Sequence, residues 1–188
     1  MSGFVVVKIG GSLYDLPDLG PRLRGFLNSL HAERIAIVPG GGVTADAIRS
    51  FDAVHRLGET ASHWLALRTL TVNAHFLAEI LPNFNVTADV RQPRVLLDAF
   101  EYARHDEAHP NPMPHIWEAT SDSVAAHLAW REEADEILLL KSRPWVGDDW
   151  TEAAREGVVD AVFPTYAKRL AAAKVRVVSL RDSARTSV

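Results

Sequence analysis

Lys8 closes a β-branched apolar run over residues 5–7 and is followed, one residue on, by Gly10, Gly11 and Ser12. A buried strand ending this way delivers an ammonium group and exposed backbone N–H groups to one point, which is what binding a polyphosphate requires. A second apolar run, residues 34–38, exits into Pro39, Gly40, Gly41 and Gly42 and repeats the arrangement. A simple turn needs one or two glycines, so the surplus is read as backbone that must reach a substrate. Two such exits predict two anionic groups held close together. A third strand-like run, Leu138, Leu139 and Leu140, ends in Lys141 and Ser142. Two lysines at strand ends would supply the field that stabilises a transferring phosphoryl group. The spacing is neither the P-loop pattern nor the dinucleotide fingerprint, because Lys8 precedes its glycines.

The segment Thr120, Ser121, Asp122 and Ser123 opens a helix, with Thr120 or Ser121 as its cap. An acid in that first turn would hold Lys8 in place or organise Mg²⁺. His105, His109 and His115 share a proline-rich, acidic segment with Asp106 and Glu107, but their spacing matches no zinc pattern, so no metal site is assigned there. A solvated loop is expected there, with a catalytic or substrate-contacting histidine favoured over a metal ligand. Trp145 and Trp150 are candidates to stack a purine, whereas Trp64, Trp117 and Trp130 read as core or interface.

Strands and helices must alternate to place these residues. Leucines at 16, 19, 23, 27 and 30 predict a helix over residues 16–31, followed by a strand at 34–38. A helix from about Thr44 is expected to bury Ala47, Ile48 and Phe51. A longer one runs from Glu59 until Pro82 stops it. Short strands follow at Val86 and 95–97, and Asp98 caps a brief helix before the loop at 105–115. The helix after Thr120 leads to a strand at 136–140, a short helix after the Trp145–Trp150 loop, a helix over 167–173 and a last strand at 175–178. This order predicts an α/β protein, a three-layer α/β/α sandwich on a mainly parallel central sheet. Ligands of such sheets bind at the carboxyl ends of the strands, where Lys8, Gly10, Gly40 and Lys141 all lie.

The chain has 188 residues, of which 47% are hydrophobic and 23% charged, enough for one well-buried domain. Its net charge of −4 argues against a general binder of nucleic acid or membrane surfaces. No cysteine is present, which excludes disulfides and thiolate metal sites and fits a reducing compartment. Neither a leader-like start nor a long apolar run is seen, so a cytoplasmic location is expected.

The Lys8-Ile-Gly-Gly-Ser exit, the Gly40 to Gly42 turn, the Asp122 segment and the late Val-Val-Asp160-Ala-Val-Phe-Pro stretch together resemble the amino acid kinase family. The resemblance spans the chain in order. It implies one domain over residues 1–188, with an acceptor-binding portion to about 118 and a reduced nucleotide-binding portion over 119–188. It implies Mg-ATP-dependent phosphoryl transfer, with Lys8, Asp122 and Lys141 catalytic. Gly10, Gly11, Ser12, Lys141 and Ser142 would contact ATP, and Gly40, Gly41, Gly42, Ser121 and Ser123 the small-molecule acceptor. The second catalytic lysine is Lys141 by strand position or Lys168 by order in the chain. The exit at Lys141 departs from the Thr-Asp-x-x-Gly of many members, and the short length implies a reduced lid hairpin.

Within the family, Trp117 ahead of the Asp122 segment and the Leu-Leu-Lys141-Ser142 exit resemble the small kinases of methanofuran-type cofactor biosynthesis. Those act on an aminomethylfuran-methyl phosphate, and such an acceptor implies several phosphoryl groups held at once by Lys8, Lys141 and an arginine such as Arg91 or Arg94. This reading is favoured; the alternatives are an amino-acid or nucleoside monophosphate kinase of the same family, or a non-catalytic nucleotide or oxyanion storage protein. The resemblance also implies a homodimer or higher homo-oligomer, with the apolar helix from Trp64 onward as the contact.

Overall fold

The computed structural model describes residues 2–170 and 173–181. Six strands form one sheet in which every pairing is parallel: β1 (Ser2–Ile9), β2 (Ala32–Pro39), β3 (Asn85–Thr87), β4 (Arg94–Leu97), β5 (Glu136–Lys141) and β6 (Lys174–Ser179), in the order β3-β4-β2-β1-β5-β6. The chain builds outward from β1 through β2 to β4 and β3, then returns to the other side of β1 for β5 and β6. The order therefore reverses between β1 and β5, which opens a crevice at their carboxyl ends. No antiparallel hairpin occurs among the described residues.

The helices are α1 (Leu19–Asn28), α2 (Gly42–His55), α3 (Glu59–Ile80), α4 (Ala99–Asp106), α5 (Ser121–Arg131), α6 (Trp150–Arg155) and α7 (Phe163–Ala167). β1 is buried on both faces, and its side chains alternate between them. Phe4 and Val6 pack with Leu67, Leu70, Tyr102, Val124 and Leu128 of α3, α4 and α5. Val5, Val7 and Ile9 pack with Leu19, Leu23 and Leu27 of α1 and with Leu77 of α3. Helices thus cover both faces, as the alternation of elements predicts. No described helix is long and apolar enough to cross a membrane.

Several boundaries differ from expectation. The first helix is shorter than 16–31, running only over Leu19–Asn28, and a 3-10 turn over Gly11–Leu13 comes between β1 and α1. α2 lies at the rim: Ala47 and Phe51 are exposed and Ile48 only half-buried, so Ala45 is its one buried residue. The expected helix over 167–173 is instead the shorter, earlier α7, with Pro164 in its first turn; residues 171 and 172 lie outside those described. Asp98 caps α4 as expected, accepting a hydrogen bond from the Glu101 N–H.

The glycine turns after β1 and β2 touch each other. A Cβ on Gly40 would stand 2.3 Å from the Gly11 nitrogen, and one on Gly11 would stand 2.3 Å from the Gly42 nitrogen. Part of the glycine surplus is thus explained by backbone packed on backbone. Gly42 also adopts a left-handed φ of 52°. Gly25, on the exposed face of α1, meets nothing within 4 Å. Gly25→Ala should raise stability by about 1 kcal/mol, whereas Gly40→Ala should lower it by about 3 kcal/mol through overpacking. Denaturant titration of both variants checks this, and a Gly40→Ala midpoint equal to that of the parent would refute the close approach.

Candidate active site

Lys8 and Lys141 end adjacent strands with the same side-chain parity. Lys8 follows Phe4 and Val6, and Lys141 follows Ile137 and Leu139, all on the sheet face that α5 covers. Asp122, in the first turn of α5, enters between them. Its Oδ1 lies 2.9 Å from Lys8 Nζ, while its Oδ2 lies 2.7 Å from Lys141 Nζ, which also reaches Oδ1 at 2.8 Å. Lys8 and Asp122 are almost wholly buried. Burial alone would raise the Asp122 pKa, but the two ammonium groups outweigh it and hold the carboxyl below its usual range. Burial, reinforced by the nearby Lys8 charge, brings Lys141 down to about 8.

Asp160 positions α5. Its Oδ2 accepts from the Thr120 N–H (2.9 Å), the Thr120 hydroxyl (2.8 Å) and the Ser123 N–H (2.9 Å). Its Oδ1 accepts from the Ser123 hydroxyl and from the Val162 and Phe163 N–H groups. Thr120 occupies the cap position, but its side chain makes no cap bond; a carboxylate from the loop ahead of α7 satisfies the helix end instead. A remote acid can replace the local cap because both hydroxyls donate to it.

A cavity of about 220 Å³ opens beside this cluster. Lys8, Gly11, Ser12, Gly41, Gly42, Thr120 and Ser121 form one end, and Leu67, Leu70 and Val124 form an apolar wall. The structure gathers Lys8, Asp122 and Lys141 into one ion cluster and brings Gly11, Ser12, Gly41, Gly42 and Ser121 to the cavity. Gly10 instead donates its N–H to the Leu140 carbonyl (2.8 Å). Gly40 turns its carbonyl to the Tyr14 hydroxyl (3.0 Å) and the Asn73 amide (2.7 Å). Ser123 is buried against Asp160, and Ser142 does not line the cavity.

Arg91 and Arg94 lie elsewhere. Arg91 binds Asp89, and Arg94 binds the Ala32 and Glu33 carbonyls near the amino end of β2. The arginine at the cavity is Arg49, on α2. Trp117 also belongs to the cavity, not to the core, and its indole N–H donates to Asp52 Oδ2 at 2.9 Å.

Sequence reading did not single out Asn73, Tyr14, Asp46, Arg49 or His63. Asn73 donates to the Gly40 and Gly41 carbonyls and so fixes the second glycine turn from α3. A polar Asn at a buried position of an apolar helix was the available signal. His115 joins His63 in a stacked pair with ring centroids 4.8 Å apart. His109 Nδ1 lies 3.1 Å from the His105 carbonyl, and both histidines border a separate hollow with Arg131.

A further cavity of about 550 Å³ is lined by Asp148, Asp149, Trp150, Thr151, Pro164, Ala167 and Lys168. It brings together Trp150 and Lys168, both of interest for the nucleotide. Trp145 is not part of this lining.

Both Asp122 oxygens are taken by lysines, so the cluster fits a polyphosphate and offers Mg²⁺ no free carboxylate. Lys141 is charged below about pH 8, and affinity for a polyphosphate anion, read by titration calorimetry with tripolyphosphate, should fall above that value as its proton is lost. Its folded pKa is below the unfolded value of 10.5, so its burial opposes folding below pH 8 and the penalty lessens between 8 and 10.5. The lost binding is then not unfolding by this group. Lys141→Arg, which keeps its charge, should extend the plateau past pH 9 at lower overall affinity. A parent profile flat to pH 9.5 would contradict the assignment.

No family model matches the chain. It is 27% identical over 165 residues to the [5-(aminomethyl)furan-3-yl]methyl phosphate kinase of Methanocaldococcus jannaschii, covering 83% of this chain and 74% of that protein. Uridylate kinase from Archaeoglobus fulgidus superposes with a TM-score of 0.64 at 17% identity, over 95% of this chain and 91% of that one. Aspartate kinase from Synechocystis superposes with a TM-score of 0.65 at 14% identity, over 94% of this chain and 38% of that one. The fold is therefore that of the amino acid kinases, and the curated sequence similar to this one along most of its length is itself a small-molecule phosphate kinase.

Proposed function

We propose that this protein is an ATP-dependent kinase whose acceptor is a phosphate monoester, and that the acceptor is an aminomethylfuran-methyl phosphate of methanofuran-type cofactor biosynthesis. The observation that carries this reading is the Lys8–Asp122–Lys141 cluster at one end of the cavity. Two ammonium groups sharing one carboxylate leave a net positive charge, held by the fold at the strand ends. An acceptor phosphate oxygen attacks the γ-phosphorus, the bond to the β-phosphate bridging oxygen breaks, and ADP leaves. Lys8 and Lys141 stabilise the charge that spreads over the transferring group, and Asp122 keeps both in place. Such a transfer needs no protein nucleophile, in keeping with a site made of cations and backbone amides.

In this reading the acceptor portion runs to about residue 118 and the nucleotide portion over 119–188. The cavity beside Trp150 and Lys168 suits a nucleotide, with Mg²⁺ carried on the nucleotide's own phosphate oxygens. Self-association would use α2 and α3, whose Val43, Phe51, Val54, Val72 and Phe76 are exposed. The similarity to the furan phosphate kinase and the absence of cysteine support the substrate and a cytoplasmic setting.

The test is incubation with Mg-ATP and [5-(aminomethyl)furan-3-yl]methyl phosphate, followed by phosphorus NMR. Formation of the diphosphate with stoichiometric ADP is expected, and Lys8→Ala should lower kcat by about a thousandfold. ATP binding by calorimetry without turnover would replace the kinase reading with a storage role. Turnover only of nucleoside monophosphates or amino acids would overturn the acceptor.

A further inference from the structure

The cavity has a long axis, set by two helices that leave its glycine end. Along α2, Asp46 and Arg49 follow Gly42 by four and seven residues, which at 1.5 Å per residue places them about 6 and 10 Å away. Along α3, Leu70 lies near the glycine turn and His63 two turns further, again about 10 Å. All of these residues line the cavity. One end is thus cationic and rich in backbone amides, the middle is apolar, and the other end carries Asp46, Arg49, His63 and Trp117.

Asp46 is the only acid in that lining. Its Oδ1 pairs with Arg49 at 2.6 Å, and the Arg49 guanidinium also lies 5.3 Å from the Trp117 ring centre, so its charge already has two partners. The Asp46–Arg49 pair is open to water and weakly held. His63 is buried, yet its Nε2 has no hydrogen-bond partner. An unpaired buried nitrogen is costly, and a ligand donor would relieve it. Burial and the neighbouring His115 bring its pKa down to about 4, against the opposing pull of Glu107, so the ring is neutral at physiological pH. A neutral ring nitrogen accepts from a cationic N–H without repelling it.

We propose that the end of the cavity remote from Lys8 selects a primary ammonium group on the acceptor, held by the Asp46 carboxylate and the unpartnered Nε2 of His63. The acceptor class is therefore a phosphate monoester carrying a cation on a short apolar body. This deepens the kinase reading and rests on it.

The test compares two acceptors, [5-(aminomethyl)furan-3-yl]methyl phosphate and its amine-free 5-methyl analogue, by the ratio of their kcat/KM values. The parent protein should favour the amine by roughly tenfold or more, the scale of a hydrogen bond to a charged group. Asp46→Asn should bring the ratio to within about threefold of unity, with the loss falling on KM and not on kcat. His63→Leu should lower the ratio as well, and His63→Gln, which keeps a polar atom, should restore part of it. Thermal melts identify a variant that fails to fold, and the exposed Asp46 then decides the matter alone. A parent ratio near one, a preference for an acceptor with a carboxylate in place of the amine, or an unchanged ratio in Asp46→Asn would overturn the assignment while leaving the kinase reading intact. Turnover of neither acceptor would overturn the furan phosphate as acceptor, and this assignment with it.

Discussion

One carboxylate shared by two ammonium groups is the constraint around which this molecule is organised. Taking Asp122, Lys8 and Lys141 out of water is expensive, and their mutual attraction offsets that cost only in good geometry. The geometry comes from three separate pieces of chain. Parallel pairing of β1 with β5 puts the two lysines on one face at the strand ends, Lys141 two residues beyond the Leu139 that pairs with Lys8, and Asp160 pins the first turn of α5 so that Asp122 falls between them. The charges do not cancel, and Lys8 of the cluster lines a cavity bounded by the exits of β1 and β2. A polyanion is the natural complement of that excess. The arrangement serves recognition, since apolar residues of similar volume would pack there at no greater cost.

The second constraint is steric. The turns after β1 and β2 meet so closely that Gly11 and Gly40 have no room for a side chain. Asn73 and Tyr14 bind the Gly40 carbonyl from α3 and from the segment after the 3-10 turn. Further support comes from the far end of the chain, where Arg181 donates to the Ser12 carbonyl at 2.7 Å and Arg22 reaches the Leu180 carbonyl at 3.0 Å. The glycine end of the cavity is therefore braced from both layers and from the residues that follow β6. Glycine serves here because the backbones must touch, which differs from serving only a ligand.

Much of this was legible because strand parity and strand ends are local properties. Phe4, Val6 and Lys8 must share a face, and an acid in the first turn of a helix lies near the strand ends in an alternating fold. Long-range partners were not legible. Nothing in the order of residues says that Asp160 reaches back to Thr120 and Ser123, since the three are separated by a strand and a helix. Ala47, Ile48 and Phe51 have helical spacing, which fixes a helix but not its depth, and α2 sits at the rim of the cavity with only Ala45 buried. Arg91 and Arg94 have the right charge, but they lie at the start of β4, at the amino ends of the strands and away from the glycine turns, so their side chains serve backbone carbonyls and a neighbouring acid instead. His63 and Asp46 gave no signal, because each matters only through what α2 and α3 enclose between them.

Asp122 and Asp46 show how the same side chain acquires different work from its surroundings. Asp122 is buried, with both oxygens engaged by cations of its own chain, so it can organise the lysines and has nothing left to offer a ligand. Asp46 lies on an exposed helix with a single weak partner in Arg49, which water competes for and a ligand can displace. In the proposed reaction, a pocket that must grip phosphate at one end and release product needs this asymmetry. Its charge would be fixed where bonds change and exchangeable where the acceptor is recognised. The apolar wall of Leu67, Leu70 and Val124 separates the two ends and offers no polar side chain to a ligand, so recognition at each end rests on that end's own groups.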